Sequence, residues 1–142
     1  MIENGLSQKL VIRLHGAFST ARGDGTAIPV RSVKLRALIA TLATAPEGRR
    51  TRGWLQDLLW SRSGHDHGRA SLRRALADLR RLMGPEFDTL FETDNSEVRL
   101  RLDRVEIVGT PADGEFLEGI DIAEEGFEDW LRQQRQGPSP VA

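Results

Sequence analysis

The 142-residue chain contains no cysteine, which excludes disulfides and thiolate metal sites. It has no apolar run of about 18 residues and no basic-then-apolar signal segment, so we expect no transmembrane helix and a cytoplasmic location. Residues 1–85 carry 15 Lys+Arg against 6 Asp+Glu, whereas residues 86–142 carry 5 against 15. The net charge of −1 therefore conceals a basic amino-terminal part, which suits an anionic partner, and an acidic carboxy-terminal part.

The amino-terminal pattern predicts a small β-sheet. Residues 10–18 alternate in part between apolar and polar side chains, which is typical of a strand. A Gly-Asp-Gly turn signal follows at 23–25, and residues 26–30 predict a short returning strand. Because Pro29 lacks an amide proton, we expect this second strand at an edge or ending there.

Two helices are predicted next, each preceded by a residue that can cap it. Ser32 is a candidate N-cap for a helix over 32–45, whose apolar residues recur at helical spacing. Thr51 is a candidate N-cap for a second helix over 52–60. A short basic link at 49–52 joins the two.

Residues 66–84 predict a third, amphipathic helix, which we expect Asp66 to cap and Pro85 to end. Its apolar stripe consists of Leu72, Ala75, Leu76, Leu79 and Met83. Its other faces carry five arginines: Arg69, Arg73, Arg74, Arg80 and Arg81. Guanidinium groups match phosphate oxygens and the guanine edge, although this helix alone also fits a solvated surface helix.

A hairpin is predicted after the third helix, with strands over 89–93 and 97–103 and a turn at Asp94-Asn95-Ser96. The order of two strands, three helices and a hairpin indicates an α+β fold. Two helices joined by a short loop indicate a helix-turn-helix, and a hairpin directly after them would be a wing. Residues 9–108 therefore predict a winged helix-turn-helix domain, with the arginine helix in the DNA major groove.

Five stretches resemble one known family: RLHGAF at 13–18, VRSVKLRALIATLA at 30–43, LQDLLW at 55–60, RASLRRALADLRRLMG at 69–84 and GEFLEGIDIAEEGFEDWLRQQR at 114–135. The first four resemble the DNA-binding domain of SARP-type bacterial transcription regulators, a branch of the OmpR/PhoB-type winged helices. The last resembles a segment of the activator domain that follows in that family. The resemblance implies a sequence-specific regulator that binds double-stranded DNA.

The resemblance also implies contact residues, in three groups. Those facing bases are Arg73, Arg74, Ala77 and Asp78, those near phosphates are Arg69, Ser71 and Arg81, and those at the preceding helix start and the wing tip are Thr51, Asn95 and Ser96. A helix start also suits phosphate by its chemistry. Asp78 could accept from cytosine N4 or pair with Arg74 or Arg81, and we favour the pairing.

Members of the family commonly bind direct repeats as head-to-tail dimers, so the resemblance implies a homodimer on DNA, with RNA polymerase as a further candidate partner. The family usually has a helix between the wing and the 114–135 type of segment, and here only 106–113 lies between them. We therefore expect a chain that lacks the activator domain or is part of a longer protein.

Catalysis and metal binding find little support in the sequence. His65, Asp66 and His67 are consecutive, which is poor geometry for one ion, so a loop at a helix start is favoured. No Ser-His-Asp order, paired-carboxylate motif or phosphate-binding glycine loop stands out. We expect neither an enzyme nor a cofactor.

Residues 109–136 form an acidic carboxy-terminal appendage with a short predicted helix. Phe127, Trp130 and Leu131 make an apolar stripe that needs a partner surface. We favour packing onto the winged helix itself, and the alternatives are a second copy, an effector domain or RNA polymerase. The alternative function is a winged helix used as a protein-interaction module through this acidic segment. The polar tail 137–142 is expected to be disordered.

Overall fold

The computed structural model describes residues 9–136 and shows an α+β fold. The predicted disordered tail 137–142 lies outside the described residues. The strands are β1 (Leu10–Arg13), β2 (Ser19–Arg22), β3 (Arg49–Thr51), β4 (Phe91–Thr93), β5 (Glu97–Leu100) and β6 (Val105–Val108). The helices are α1 (Val33–Thr44), α2 (Arg52–Leu59), α3 (His65–Met83), the single turn α4 (Phe87–Leu90) and α5 (Glu125–Gln136).

The strands form two three-stranded sheets. In the first, with strand order β2-β1-β6, β1 runs antiparallel to β2 and parallel to β6, so that Leu10 lies opposite both Arg22 and Val105. In the second, with order β3-β5-β4, both pairings are antiparallel and Val98 lies opposite Arg50 and Thr93. The first sheet therefore joins the start of the described chain to the segment that follows the hairpin.

The predicted bounds of the amino-terminal strands are wrong. The strand predicted over 10–18 ends at Arg13, because Gly16 adopts a φ of 81° and interrupts the extended backbone. The returning strand predicted over 26–30 makes only an isolated bridge, since the partner of β1 is β2, which the sequence pattern did not single out. The Ile28 amide still donates to the Thr20 carbonyl (2.9 Å).

The predicted caps of the first two helices are confirmed, and that of the third is wrong. Ser32 Oγ accepts from the Leu35 amide (3.2 Å), and Thr51 Oγ1 accepts from the Trp54 amide (3.1 Å). Helix α3 begins one residue earlier than expected and has Gly64 at its N-cap, without a side-chain cap. Asp66 lies inside the first turn instead, where its carboxylate can interact only with the helix dipole.

The predicted hairpin exists, with shorter strands than expected. Residues 89–90 belong to the helical turn α4, and residues 102–104 form a 3₁₀ turn, so both outer strand ends were placed wrongly. The predicted turn at 94–96 is confirmed: Asp94 Oδ1 accepts from the amides of Ser96 (2.7 Å) and Glu97 (2.8 Å). Strands β3 and β6 were not predicted.

One cluster of buried side chains connects both sheets and the longer helices. The predicted stripe of α3 is confirmed, since Leu72, Leu79 and Met83 are fully buried. The carboxy-terminal segment folds back onto the rest of the chain, as favoured: Phe127 is fully buried, and the Leu117 amide donates to the Leu14 carbonyl (2.7 Å). Within residues 9–136 a membrane-crossing helix is absent, because none combines the required length with the required apolarity.

Candidate nucleic-acid interface

Helix α3 is anchored along one side and presents charge along the other. The stripe packs into the core, so the residues between stripe positions must face outward. Four of the predicted contact residues are exposed there: Arg69, Arg73, Arg74 and Ala77. Ser71 and Asp78 are half-buried at the flank, and Arg81 is exposed near the end of the helix.

Arg73 and Arg74 differ from almost every other cation in the molecule. Within the described residues 9–136, neither side chain forms a hydrogen bond, an ion pair or a ring contact, and the same is true of Arg31. The other lysine and arginine side chains each have a partner inside the chain. Two adjacent exposed guanidinium groups without an intramolecular partner remain available to an external anion.

The neighbouring arginines on α3 are engaged locally. Arg69 Nη2 lies 2.9 Å from His65 Nε2, one turn earlier on the helix. Arg81 pairs with Asp78, which confirms the pairing that we favoured for this carboxylate. Arg80 pairs with Asp88 (3.1 Å) and lies over the ring of Phe87 (4.4 Å). These exposed pairs are weak, so an external phosphate can displace them at little cost.

The hairpin turn docks against the start of α2. The backbone amide of Arg52 donates to the Ser96 carbonyl (2.8 Å), and Arg52 Nε donates to the Asp94 carbonyl (2.6 Å). Thr51 lies opposite Glu97 in the β3–β5 pairing. The structure therefore brings Thr51 close to Asn95 and Ser96, which lie far from it in the sequence, and all three residues are exposed.

The turn that carries Asn95 and Ser96 is held by Asp94. Hydrogen bonds from the Glu97 and Ser96 amides lower the pKa of the Asp94 carboxyl below its ordinary value, and the Arg52 charge adds to this effect. The turn is therefore preorganised by an ionised carboxylate at neutral pH.

Three arginine positions in this region were not singled out by the sequence analysis. Arg49 and Arg99 lie directly opposite each other on β3 and β5, and Glu92 accepts from Arg99 (3.2 Å) and from Arg101 (2.8 Å). The alternation of residues 97–101 predicts a solvent-facing side for Arg99 and Arg101, and the structure places both half-buried on the face opposite the buried Val98 and Leu100. No local signal could have paired Arg49 with Arg99, because the pairing joins distant segments.

The predicted contact residues thus fall into two groups. One lies along the outward side of α3, and the other lies where the hairpin turn meets the start of α2. Among residues 9–136 no hydrogen bond or ion pair links the two groups directly; α2, which packs against α3, connects them. No three His, Cys, Asp or Glu side chains of the described chain are arranged to hold a metal ion. The arrangement offers cationic and amide donors to an extended anion.

Compared with known proteins, the chain matches no family model, no curated sequence and no solved structure.

Proposed function

We propose that this protein is a sequence-specific transcription regulator that binds double-stranded DNA as a winged helix-turn-helix. In this proposal α2 and α3 are the helix-turn-helix, α3 enters the major groove, and the β4–β5 hairpin is the wing. The observation that carries the proposal is the adjacent pair Arg73 and Arg74, exposed and without a partner on the outward side of a helix whose other side is buried.

The chemistry assigns different tasks to the two groups of residues. Arg73 and Arg74 can reach base edges, where a guanidinium group reads guanine through two hydrogen bonds. Exposed Ala77 offers a methyl group to a thymine methyl group. Arg69, Ser71 and Arg81 suit phosphates, as do the helix start at Thr51 and the turn residues Asn95 and Ser96.

Asp78 has a supporting task in this proposal. It already pairs with Arg81, so it restrains that side chain and reduces the local positive charge. Base reading by Asp78 would require this pair to open. We therefore assign Asp78 to the pair with Arg81, which limits the positive charge that this end of α3 offers to DNA.

Fluorescence anisotropy with random duplex DNA over a salt series tests the proposal. We expect binding with a dissociation constant of about 1–100 μM and a steep negative slope of log affinity against log salt. Replacing both Arg73 and Arg74 by alanine should weaken this binding strongly. The matched control is Arg132→Ala, because Arg132 is an exposed helical arginine that already pairs with Asp129 (2.9 Å).

Two results would contradict the proposal. The first is an absence of duplex binding by the wild-type protein at low salt. The second is a loss of log affinity in the Arg73/Arg74 variant no greater than twice the loss in the Arg132 variant, because two charges are removed against one and the effect would then be one of net charge.

The alternative, a protein-interaction module, is less well supported. Its apolar stripe is already buried within the chain, since Phe127, Trp130 and Leu131 belong to the hydrophobic core. A protein partner would have to use the polar outer side of α5. Binding of a protein partner by a chain that shows no salt-dependent DNA binding would favour this alternative.

A further inference from the structure

A buried carboxylate from the carboxy-terminal segment holds the turn between α2 and α3. Glu124 is only 8% exposed, although it belongs to the acidic part of the chain. Its Oε1 atom accepts from Ser61 Oγ (2.8 Å) and from the Arg62 backbone amide (3.0 Å). Both donors belong to the turn that leads into α3.

The other oxygen of Glu124 faces α1. Lys34 Nζ, in the first turn of that helix, lies 3.5 Å from Glu124 Oε2 and 5.0 Å from the centre of the Trp60 ring. Burial alone would raise the pKa of Glu124, but the hydrogen bonds from Ser61 and Arg62 and the charge of Lys34 lower it overall. The carboxylate is therefore ionised at neutral pH.

Backbone packing fixes the same segment against α2. A Cβ atom at Gly126 would lie 2.8 Å from the Asp57 carbonyl oxygen, so the two backbones are already in close contact. Arg62 Nη1 also donates to the Ala123 carbonyl (3.2 Å). Residues 123–126 thus contact both the end of α2 and the turn that follows it.

The contact of Glu124 with Ser61 and Arg62 lies just before a helix start that has no side-chain cap. Helix α3 has no side-chain cap, because Gly64 stands at its N-cap. Gly64 has no side chain to hold the start of α3, and its backbone is conformationally permissive. The bonds from Ser61 and Arg62 to Glu124 do not reach the free amides in the first turn of α3, but they hold the chain two residues before Gly64 from a distant segment.

We propose that Glu124 is a positioning residue for the DNA-reading helix, which sets the direction of α3 by holding Ser61 and Arg62. This inference rests on the proposed function. If the role of Glu124 were merely structural, replacing it would lower the stability of the fold. The preference of the folded protein for its operator over random DNA would then stay unchanged.

The test uses the full chain with Glu124→Ala and, as a milder change, Ser61→Ala, which removes one donor and leaves the charge pair with Lys34 in place. Glu124→Gln keeps an acceptor for Ser61 and Arg62, so it should change both of the measurements below less than Glu124→Ala does. The matched control is Asp121→Ala, because Asp121 is an exposed acid of the same segment. All variants are compared at a temperature at which circular dichroism shows them folded.

Amide hydrogen exchange without DNA is the first measurement. In Glu124→Ala we expect the Arg62 amide to exchange about tenfold faster or more, because it loses its charged acceptor. The Gly68 amide, which donates to the Gly64 carbonyl in the first turn of α3 (2.8 Å), should also exchange faster, because the turn before it is released. Ser61→Ala should show a smaller increase, and Asp121→Ala none. Exchange in Glu124→Ala equal to that of the control would overturn the inference.

The ratio of random-duplex to operator dissociation constants is the second measurement, with the operator selected from a random library by the wild type. We expect this ratio to fall about tenfold in Glu124→Ala, with the salt slope on random duplex unchanged. An unchanged ratio would overturn the positioning role. If the wild type binds no duplex, the proposed function and the reading role both fail, while the exchange data still show whether Glu124 fixes the turn.

Discussion

Helices α3 and α5 are both amphipathic and arginine-containing, yet their charges have different fates. On α5, Arg132 pairs with Asp129 (2.9 Å), and Arg135 donates to the Phe116 carbonyl (3.0 Å) and pairs with Glu115 (3.4 Å). On α3, Arg73 and Arg74 have no partner within residues 9–136. Arginine content alone therefore does not distinguish the two helices; what distinguishes them is that two adjacent arginines of α3 have no partner within the described residues.

Both helices bury an apolar stripe in the core. Truncating a stripe residue should therefore have the largest effect on the free energy of unfolding. Phe127→Ala on α5 should lower the free energy of unfolding by about 3–5 kcal/mol, because the fully buried ring leaves a cavity. Urea denaturation measures the loss. Gln133→Ala, on the exposed side of the same helix, is the control and should change stability by less than about 0.5 kcal/mol.

The residue just before α5, Glu124, carries a buried charge that bonds the turn leading into α3, whereas α3 itself contains no buried charged residue. Glu124→Gln should lower the free energy of unfolding by about 1.5–3 kcal/mol at pH 7, because Ser61 and Arg62 then donate to a neutral acceptor and the ion pair with Lys34 is lost. Because the pKa of folded Glu124 lies below the ordinary 4.5, this stabilisation is present above pH 4.5 and is lost as the pH falls through the folded value. Urea titrations at pH 7 and about pH 3 should show the difference between wild type and variant shrinking; a constant difference would contradict this cause.

Two glycines lie on opposite sides of α2. Gly126 of α5 packs against its buried side, and Gly53 belongs to its exposed side. Gly126→Ala should destabilise by about 1–3 kcal/mol, because its Cβ would lie 2.8 Å from the Asp57 carbonyl oxygen. Gly53→Ala in α2 should stabilise by about 0.5–1 kcal/mol, because nothing lies within 4 Å of the added atom and alanine favours the helix. Thermal unfolding should show a lower melting temperature for Gly126→Ala and a higher one for Gly53→Ala. A higher melting temperature for both would show that the backbone contact at Gly126 tolerates an added methyl group.

We expect the arginines of α3 to differ in what they contact, with some binding base edges and others binding phosphates. Arg74→Ala should cost about 1–3 kcal/mol of operator binding and relax sequence preference, whereas Arg69→Ala should weaken all duplexes alike and reduce the salt slope by about one. Anisotropy titrations with operator and random duplex measure both effects. Equal losses on the two duplexes for both variants would remove the distinction.

The smallest effect is expected at the exposed pair of Asp78 and Arg81. Asp78→Ala should change the free energy of unfolding by less than about 1 kcal/mol, because exposed ion pairs contribute little. It should strengthen random-duplex binding by releasing Arg81 and removing a negative charge. Weaker binding would instead show that Asp78 is needed to hold Arg81 toward a phosphate.

Local features of this fold could be predicted from sequence. The caps at Ser32 and Thr51 depend on an amide three residues along the chain, and the α3 stripe depends on helical periodicity. The Asp66 cap failed because the helix starts at His65 after Gly64, and both starts fit the local pattern. Strands β3 and β6 were missed because their partners are distant and neither alternates clearly.

The charged contacts were only partly predictable. Asp78 stands four residues after Arg74 and three before Arg81, and both spacings allow a pair on a helix. Only the structure shows that Asp78 pairs with Arg81, which leaves Arg74 without a partner among the described residues. Glu124 and Glu125 are adjacent acids within an acidic segment, and only the fold shows that the first is buried and the second exposed.

The parallel pairing of β1 with β6 has a consequence for how the chain folds during synthesis. Leu10 leaves the ribosome long before Val105, so β1 can pair with β2 early, but its other edge stays unpaired until nearly the whole domain has been synthesised. Closing so long a loop costs chain entropy before the pairing can repay it. We therefore expect the helices and the β4–β5 hairpin to form first, and the first sheet to be completed last.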